Sequence, residues 1–115
     1  MRKRFWVPAI LLAIGVGVAL RAPRPVSYAD VTRMTTKKYT YEAYPQWAQQ
    51  HTEPCPSSIV ELDPFMNGVD RRDRWGHSYE MLCGAALPPT ARGIAIYSRG
   101  EDGKAGTDDD IRSWE

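Results

Sequence analysis

Apolar and polar positions divide this chain into segments of different character. Phe5 to Leu20 is an uncharged apolar run, flanked by Arg2, Lys3 and Arg4 on one side and by Arg21 on the other. It is shorter than the about 20 residues of a full helical membrane span, and its length is near the upper end of a signal-peptide core. A basic flank at the very terminus speaks against a buried core helix. The run therefore predicts an export signal or a membrane anchor through residues 5–20. "RAPRPVSYAD" carries two prolines and reads as a spacer. A small-x-small cleavage site can be read at Ser27-Tyr28-Ala29, and Ala22, followed by Pro23, is a poorer one. Residues 1–29 are assigned to this segment and residues 30–115 to a single domain.

Within that domain Val31, Met34, Tyr41, Tyr44, Trp47 and Ala48 recur at spacings near three and four, predicting one helical face. Pro45 falls inside the pattern and should kink or restart the helix. In "HTEPCPSSIVEL" two prolines force an extended turn, and Ser58 with Glu61 matches a capping box that opens a short helix from about Ile59. The period then changes to two. "SYEMLC" puts Tyr79, Met81 and Cys83 on one side of a strand, and "GIAIYS" is a second strand suited to pair with it. Before them, "DRWG" reads as a turn in which Asp73 bonds nearby backbone and Gly76 takes a positive φ. The predicted fold is α+β, in the order long or kinked helix, short helix, small antiparallel sheet and acidic C-terminal loop, with no internal repeat.

Composition narrows the function. Net charge is +1, yet residues 1–30 hold five basic residues against Asp30 alone, whereas residues 31–115 hold ten basic and thirteen acidic. No basic face with interleaved aromatics exists, which argues against nucleic-acid binding. Cys55 and Cys83 lack the close Cys/His spacing of a zinc site, and in an oxidising compartment such a pair forms a disulfide. His51 and His77 stand alone in polar contexts, so a hydrolase built on His77 with nearby acids has no nucleophile motif behind it. "VDRRDR" reads as a surface turn or a partner-docking patch.

The densest chemistry lies in "SRGEDGKAGTDDDIRSWE". Calcium takes six to eight hard oxygens from carboxylates and carbonyls. Asp102, Asp108 and Asp110 can supply carboxylates, with Asp109 as a substitute for one of the last two. Gly100, Gly103 and Gly106 let the backbone curl so that carbonyls, those of Arg99 and Gly106 for example, face inward. An EF-hand register starting at Asp102 fails, since Lys104 stands at its third position and no Glu at its twelfth. The plain alternative is a solvated acidic turn.

"DRWGHSYEMLC…IAIYSRGEDGKAGTDDDIRSW" resembles the C-terminal region of the major pseudopilin of bacterial type II secretion systems, over roughly residues 41–115. That family carries a D-P-W-G turn, two strands and a Gly- and Asp-rich calcium loop that ends in D-I and a tryptophan. Here Arg74 replaces the proline. "CPSSIVEL" is similar to a segment of pseudopilin-like relatives in which Cys-Pro opens the second helix. The resemblance implies calcium ligands at Asp102 and at Asp108 or Asp110, in a loop about two residues shorter than the family's. The N-terminus departs from the pattern: Gly15 and Gly17 lie inside the apolar run and the first glutamate is Glu42, so no prepilin peptidase motif is present.

The resemblance implies a non-enzymatic, exported, membrane-tethered structural protein. It would belong to a type II secretion or pilus-like apparatus, carry a structural Ca2+, and have other pseudopilins or apparatus proteins as partners and no small-molecule substrate. It would be anchored in the inner membrane facing the periplasm, or secreted if the N-terminus is cleaved. The alternative is a stand-alone, calcium-stabilised exported binding module outside any pilus.

Overall fold

A computed structural model describes residues 26–68 and 71–115. The apolar run Phe5–Leu20, most of the spacer after it, and Val69 and Asp70 of "VDRRDR" lie outside the described residues. Among the described residues no helix is long and apolar enough to cross a membrane.

Helix α1 spans Tyr28–Lys38. The Ser27 hydroxyl accepts from the Asp30 N–H at 3.1 Å, which satisfies one of the free donors of the first turn. Asp30 in the first turn and Lys37 and Lys38 in the last complement the helix dipole. The helix then widens into π geometry over Tyr39–Ala43, where the Tyr44 N–H bonds the Tyr39 carbonyl, and returns to α geometry as α2, Tyr44–Gln49. Pro45 explains the change. It has no N–H to offer the carbonyl four residues back, and its ring would crowd that carbonyl in a regular α turn. The kink expected at Pro45 is therefore realised as a wide turn inside one continuous helix.

The buried face of this helix is the predicted one only in its second half, where Trp47 is buried and Tyr44 and Ala48 pack against the core. Met34 and Tyr41 are exposed, whereas Thr32, Thr35, Thr36, Tyr39, Thr40, Ala43 and Trp47 are buried. Periodicity missed this face because threonine reads as polar. Three of the hydroxyls bond back to the helix itself: Thr35 to Val31 O at 3.1 Å, Thr36 to Arg33 O at 2.7 Å and Thr40 to Thr36 O at 3.0 Å. Such internal bonds leave the methyl groups free to pack inward.

A 3-10 helix covers Ile59–Phe65. Its start was read correctly, but the capping box forms differently. Ser58 makes no side-chain cap, and the Glu61 carboxylate reaches back to the Ser57 N–H instead. The sheet is β1 (Glu80–Cys83), β2 (Ile94–Ser98) and β3 (Ile111–Arg112), ordered β1-β2-β3 and antiparallel throughout. Glu80 pairs with Tyr97 and Cys83 with Ile94, while Ser98 pairs with Ile111. The third strand was not foreseen, since two residues directly after an aspartate run carry no period. A single core joins Tyr39, Ala43, Trp47, Leu62, Met66, Tyr79, Ile94 and Ile96, with Met81 and Cys83 packed against it.

Cys55 and Cys83 form a disulfide with Cα atoms 5.9 Å apart. It ties the proline-rich segment before the 3-10 helix to the end of β1. Next to it the Tyr44 hydroxyl donates to Pro54 O at 2.6 Å, so α2 is held to the same segment.

Candidate metal centre

The acidic loop hangs between β2 and β3, and its first anchor is the "DRWG" turn. Asp73 is buried, and a buried carboxylate needs every lone pair it can match. Its Oδ1 accepts from the Trp75 and His77 N–H groups at 3.0 and 2.9 Å, and its Oδ2 accepts from the Ser98 hydroxyl at 2.6 Å. The Ser98 oxygen in turn accepts from the Gly100 N–H at 3.0 Å. Asp73 thus fixes the end of β2 and the first step of the loop. Arg99 points back across the sheet, its guanidinium 2.6 Å from Glu80.

Gly100 lies at φ +70°, and a Cβ there would collide with the Asp109 carbonyl oxygen. Only glycine lets the two ends of the loop come this close. Gly103 is nearly as constrained, since a Cβ would come within 2.9 Å of the His77 ring. Gly106 also has a positive φ, so all three glycines turn the chain as their placement predicts.

The loop folds back on its own carboxylates. Asp102 N–H donates to Asp109 Oδ2 at 2.9 Å, Lys104 N–H to Asp102 Oδ1 at 2.9 Å, and Gly106 N–H to Asp110 Oδ2 at 2.6 Å. As a result Asp102, Asp109 and Asp110 each bring one carboxylate oxygen to within 4.8 Å of the others. The Thr107 hydroxyl bonds into the same group. Its one proton faces Lys104 O at 3.1 Å, Asp109 Oδ1 at 2.6 Å and Asp110 Oδ1 at 3.3 Å. A hydroxyl donates to one acceptor at a time, so the remaining lone pairs face one another without a proton between them. The Thr107 hydroxyl, followed by the Asp102 N–H, holds the Asp109 carboxyl below its usual range. The Asp110 side chain is only 3% exposed, and its nearest cation is the Arg112 guanidinium at 3.7 Å.

Three carboxylates converging with surplus lone pairs suit a hard divalent cation, which takes oxygen ligands and removes their mutual repulsion. The donor set contains no sulfur or imidazole, so it fits calcium better than zinc. Of the residues read from sequence, Asp102, Asp109 and Asp110 come together. Asp108 is exposed and outside the group. Gly106 contributes its N–H to Asp110, and Arg99 stands at the loop entrance.

The loop exit is fastened by residues that sequence reasoning passed over. Ser113 and Ile96 exchange bonds: the Ser113 N–H donates to the Ile96 carbonyl at 2.9 Å, and the Ile96 N–H donates to the Ser113 hydroxyl oxygen at 3.0 Å. The Lys37 ammonium donates to the carbonyls of Ser113 and Glu115, both at 3.0 Å. Thr107, Ser98, Ser113 and Lys37 show no local motif. Their roles depend on partners distant in sequence or on a loop shape that only the fold defines. The histidines take structural places. His51 stacks on Trp47 with ring centroids 4.2 Å apart, and His77 meets Asp73 through its backbone while its ring lies against Gly103.

Over 43 residues the chain is 49% identical to the type II secretion system core protein G of Aeromonas hydrophila, a match that takes in 37% of this chain and 27% of that protein. No protein-family model matches the chain, and no solved structure matches it. The partial likeness agrees with the pseudopilin resemblance carried by the "DRWG" turn, the strands and the acidic loop.

Proposed function

We propose that this protein is a pseudopilin-like structural component of a type II secretion or pilus-like apparatus, tethered to the membrane through residues 5–20 and non-enzymatic. The observation that carries the reading is the Asp102–Asp109–Asp110 group at the mouth of a β2–β3 loop, in a chain partly 49% identical to a type II secretion system core protein G. Asp102, Asp109 and Asp110 would hold Ca2+, with backbone carbonyls such as those of Arg99 and Gly106 completing its shell. The ion's role is structural: it offsets carboxylate repulsion and locks the loop onto the sheet. The outer face of the long helix leaves Met34 and Tyr41 68% and 62% exposed, which supports packing against other subunits of an assembly.

Co-purification of the full chain from the cell envelope tests the assembly role. Recovery together with other secretion-apparatus proteins is expected, and consistent recovery alone with a cleaved N-terminus would overturn it. The same outcome would favour the second reading, a stand-alone calcium-stabilised exported module. That reading keeps the same Asp102–Asp109–Asp110 group and the Cys55–Cys83 bridge, neither of which depends on assembly.

A further inference from the structure

We infer that the end of the domain formed by Tyr28, Trp75 and the arginines Arg72 and Arg74 rests on the headgroup layer of an anionic phospholipid membrane. The inference builds on the membrane-tethered reading and adds which surface meets the bilayer.

Three observations converge on this end. The first is reach. Val26 is only six positions after Leu20, the last of the apolar run, a step of about 20 Å even when fully extended. An anchor at residues 5–20 therefore keeps the start of α1 next to the membrane surface. The second is chemistry. The Tyr28 and Trp75 rings meet edge to face, 6.2 Å between centroids, and the Arg74 guanidinium lies 5.2 Å over the Tyr28 ring. Tyr28 is 54% exposed and Val26 beside it 66%. Amphipathic rings with an apolar body and a polar edge are favoured at the membrane–water boundary. The third is charge. Arg72 and Arg74 are exposed, and Arg72 is braced by a 3.0 Å bond to Gly76 O. Basic side chains held this close to a bilayer are drawn to anionic headgroups.

The turn that presents Trp75 and Arg74 is rigid, because the buried Asp73 carboxylate binds two of its N–H groups. It is also remote in sequence from the tether, so its approach to lipid does not follow from the anchor alone. The neighbouring acidic loop, touched by the His77 ring at Gly103, opposes contact with anionic lipid. The contact is accordingly made by the aromatic pair and the arginines, and calcium on the loop would ease it.

The test uses the full chain in nanodiscs of phosphatidylcholine mixed with phosphatidylglycerol, in calcium buffer, with a gadolinium chelate on a fraction of the headgroups. Paramagnetic relaxation of backbone amides reports distance to the headgroup plane. The amides of Arg72–Gly76 are expected to relax several-fold faster than those of Gly84–Ala86, at the far end of β1. The double variant Arg72→Glu/Arg74→Glu should lose most of that enhancement, with sheet amide shifts unchanged to show that the fold is intact. Insertion with equal relaxation at the two segments, or an undiminished enhancement in the double variant, overturns this inference alone. Failure of the chain to enter the discs overturns the membrane-tethered reading and this inference with it.

Discussion

Removing the Asp102 carboxylate should abolish the response of this domain to calcium. Asp102 is one of three side chains whose oxygens lie within 4.8 Å of one another, and it is exposed. Loops of extracellular modules bind calcium with Kd on the order of 10⁻⁴ to 10⁻³ M. At a free concentration about 100-fold above Kd, a ligand that binds only the folded state adds about 2.7 kcal/mol. For a domain of this size each kcal/mol moves Tm by about 4–8 °C, so the wild-type chain should melt about 10–20 °C higher in saturating calcium than in chelator. In chelator, Asp102→Ala should melt close to wild type. The Lys104 N–H loses its acceptor, but one source of carboxylate repulsion also goes, and an exposed site of this kind shifts stability by only about 0.5 kcal/mol. In calcium the variant should show no rise. Asp108→Ala is the internal control: its side chain lies outside the group and its calcium shift should persist. Circular-dichroism melts at matched ionic strength, with magnesium as a second control ion, make the comparison. Identical wild-type curves in calcium and chelator would refute the reasoning, as would loss of the shift in Asp108→Ala with retention in Asp102→Ala.

Opening the Cys55–Cys83 bridge by the double Cys→Ser change should lower unfolding free energy by roughly 3–4 kcal/mol on chain-entropy grounds, given its sequence separation of 28, and urea titration reads this directly. An unchanged midpoint would show that the bridge adds nothing. Gly100→Ala combines a positive φ with a collision against the Asp109 carbonyl; a cost of about 1–3 kcal/mol is expected together with loss of the calcium shift, and a wild-type melting profile would be inconsistent with the loop geometry. Tyr39 donates to Asp63 Oδ1 at 3.1 Å, and burial first, then the Asp63 charge, push its phenol pKa up. A folded pKa above the unfolded one means that this contribution is fully present below about pH 10 and is lost as pH rises toward the folded value. Tyr39→Phe should therefore cost about 1 kcal/mol at neutral pH and show a shallower alkaline loss than wild type; parallel alkaline curves would contradict the assignment.

What could be read from residues alone followed from how local the causes were. The "DRWG" turn, the alternation in "SYEMLC" and "GIAIYS" and the glycine-spaced aspartates are short-range signals, and each took the shape its spacing implied. The helix was legible, and its inner face only around Tyr44, Trp47 and Ala48; nearer its start the face was hidden, because threonines that bond their own turn behave as small apolar residues once folded. Strand β3 pairs Ile111 with Ser98 and Arg112 with Tyr97, and the Ser113–Ile96 bonds fasten its end, a pairing invisible in a two-residue segment. Within the aspartate triplet the order of charges says little. Asp109 and Asp110 join Asp102 and Asp108 does not, a choice made by the Gly100–Asp109 approach and by the Thr107 hydroxyl. The capping box shows the opposite limit: the right residue types were present, but the proline-flanked backbone offered Glu61 the Ser57 N–H instead.

The most direct measurement is the intact mass of the mature chain, recovered by fractionation from the envelope of cells that make it. A membrane-tethered pseudopilin-like component should be found in the membrane fraction with the apolar segment Phe5–Leu20 still attached. A soluble chain whose mass begins after Ala22 or Ala29 would contradict the tether and the surface inferred from it, and would leave the exported, calcium-stabilised module in its place.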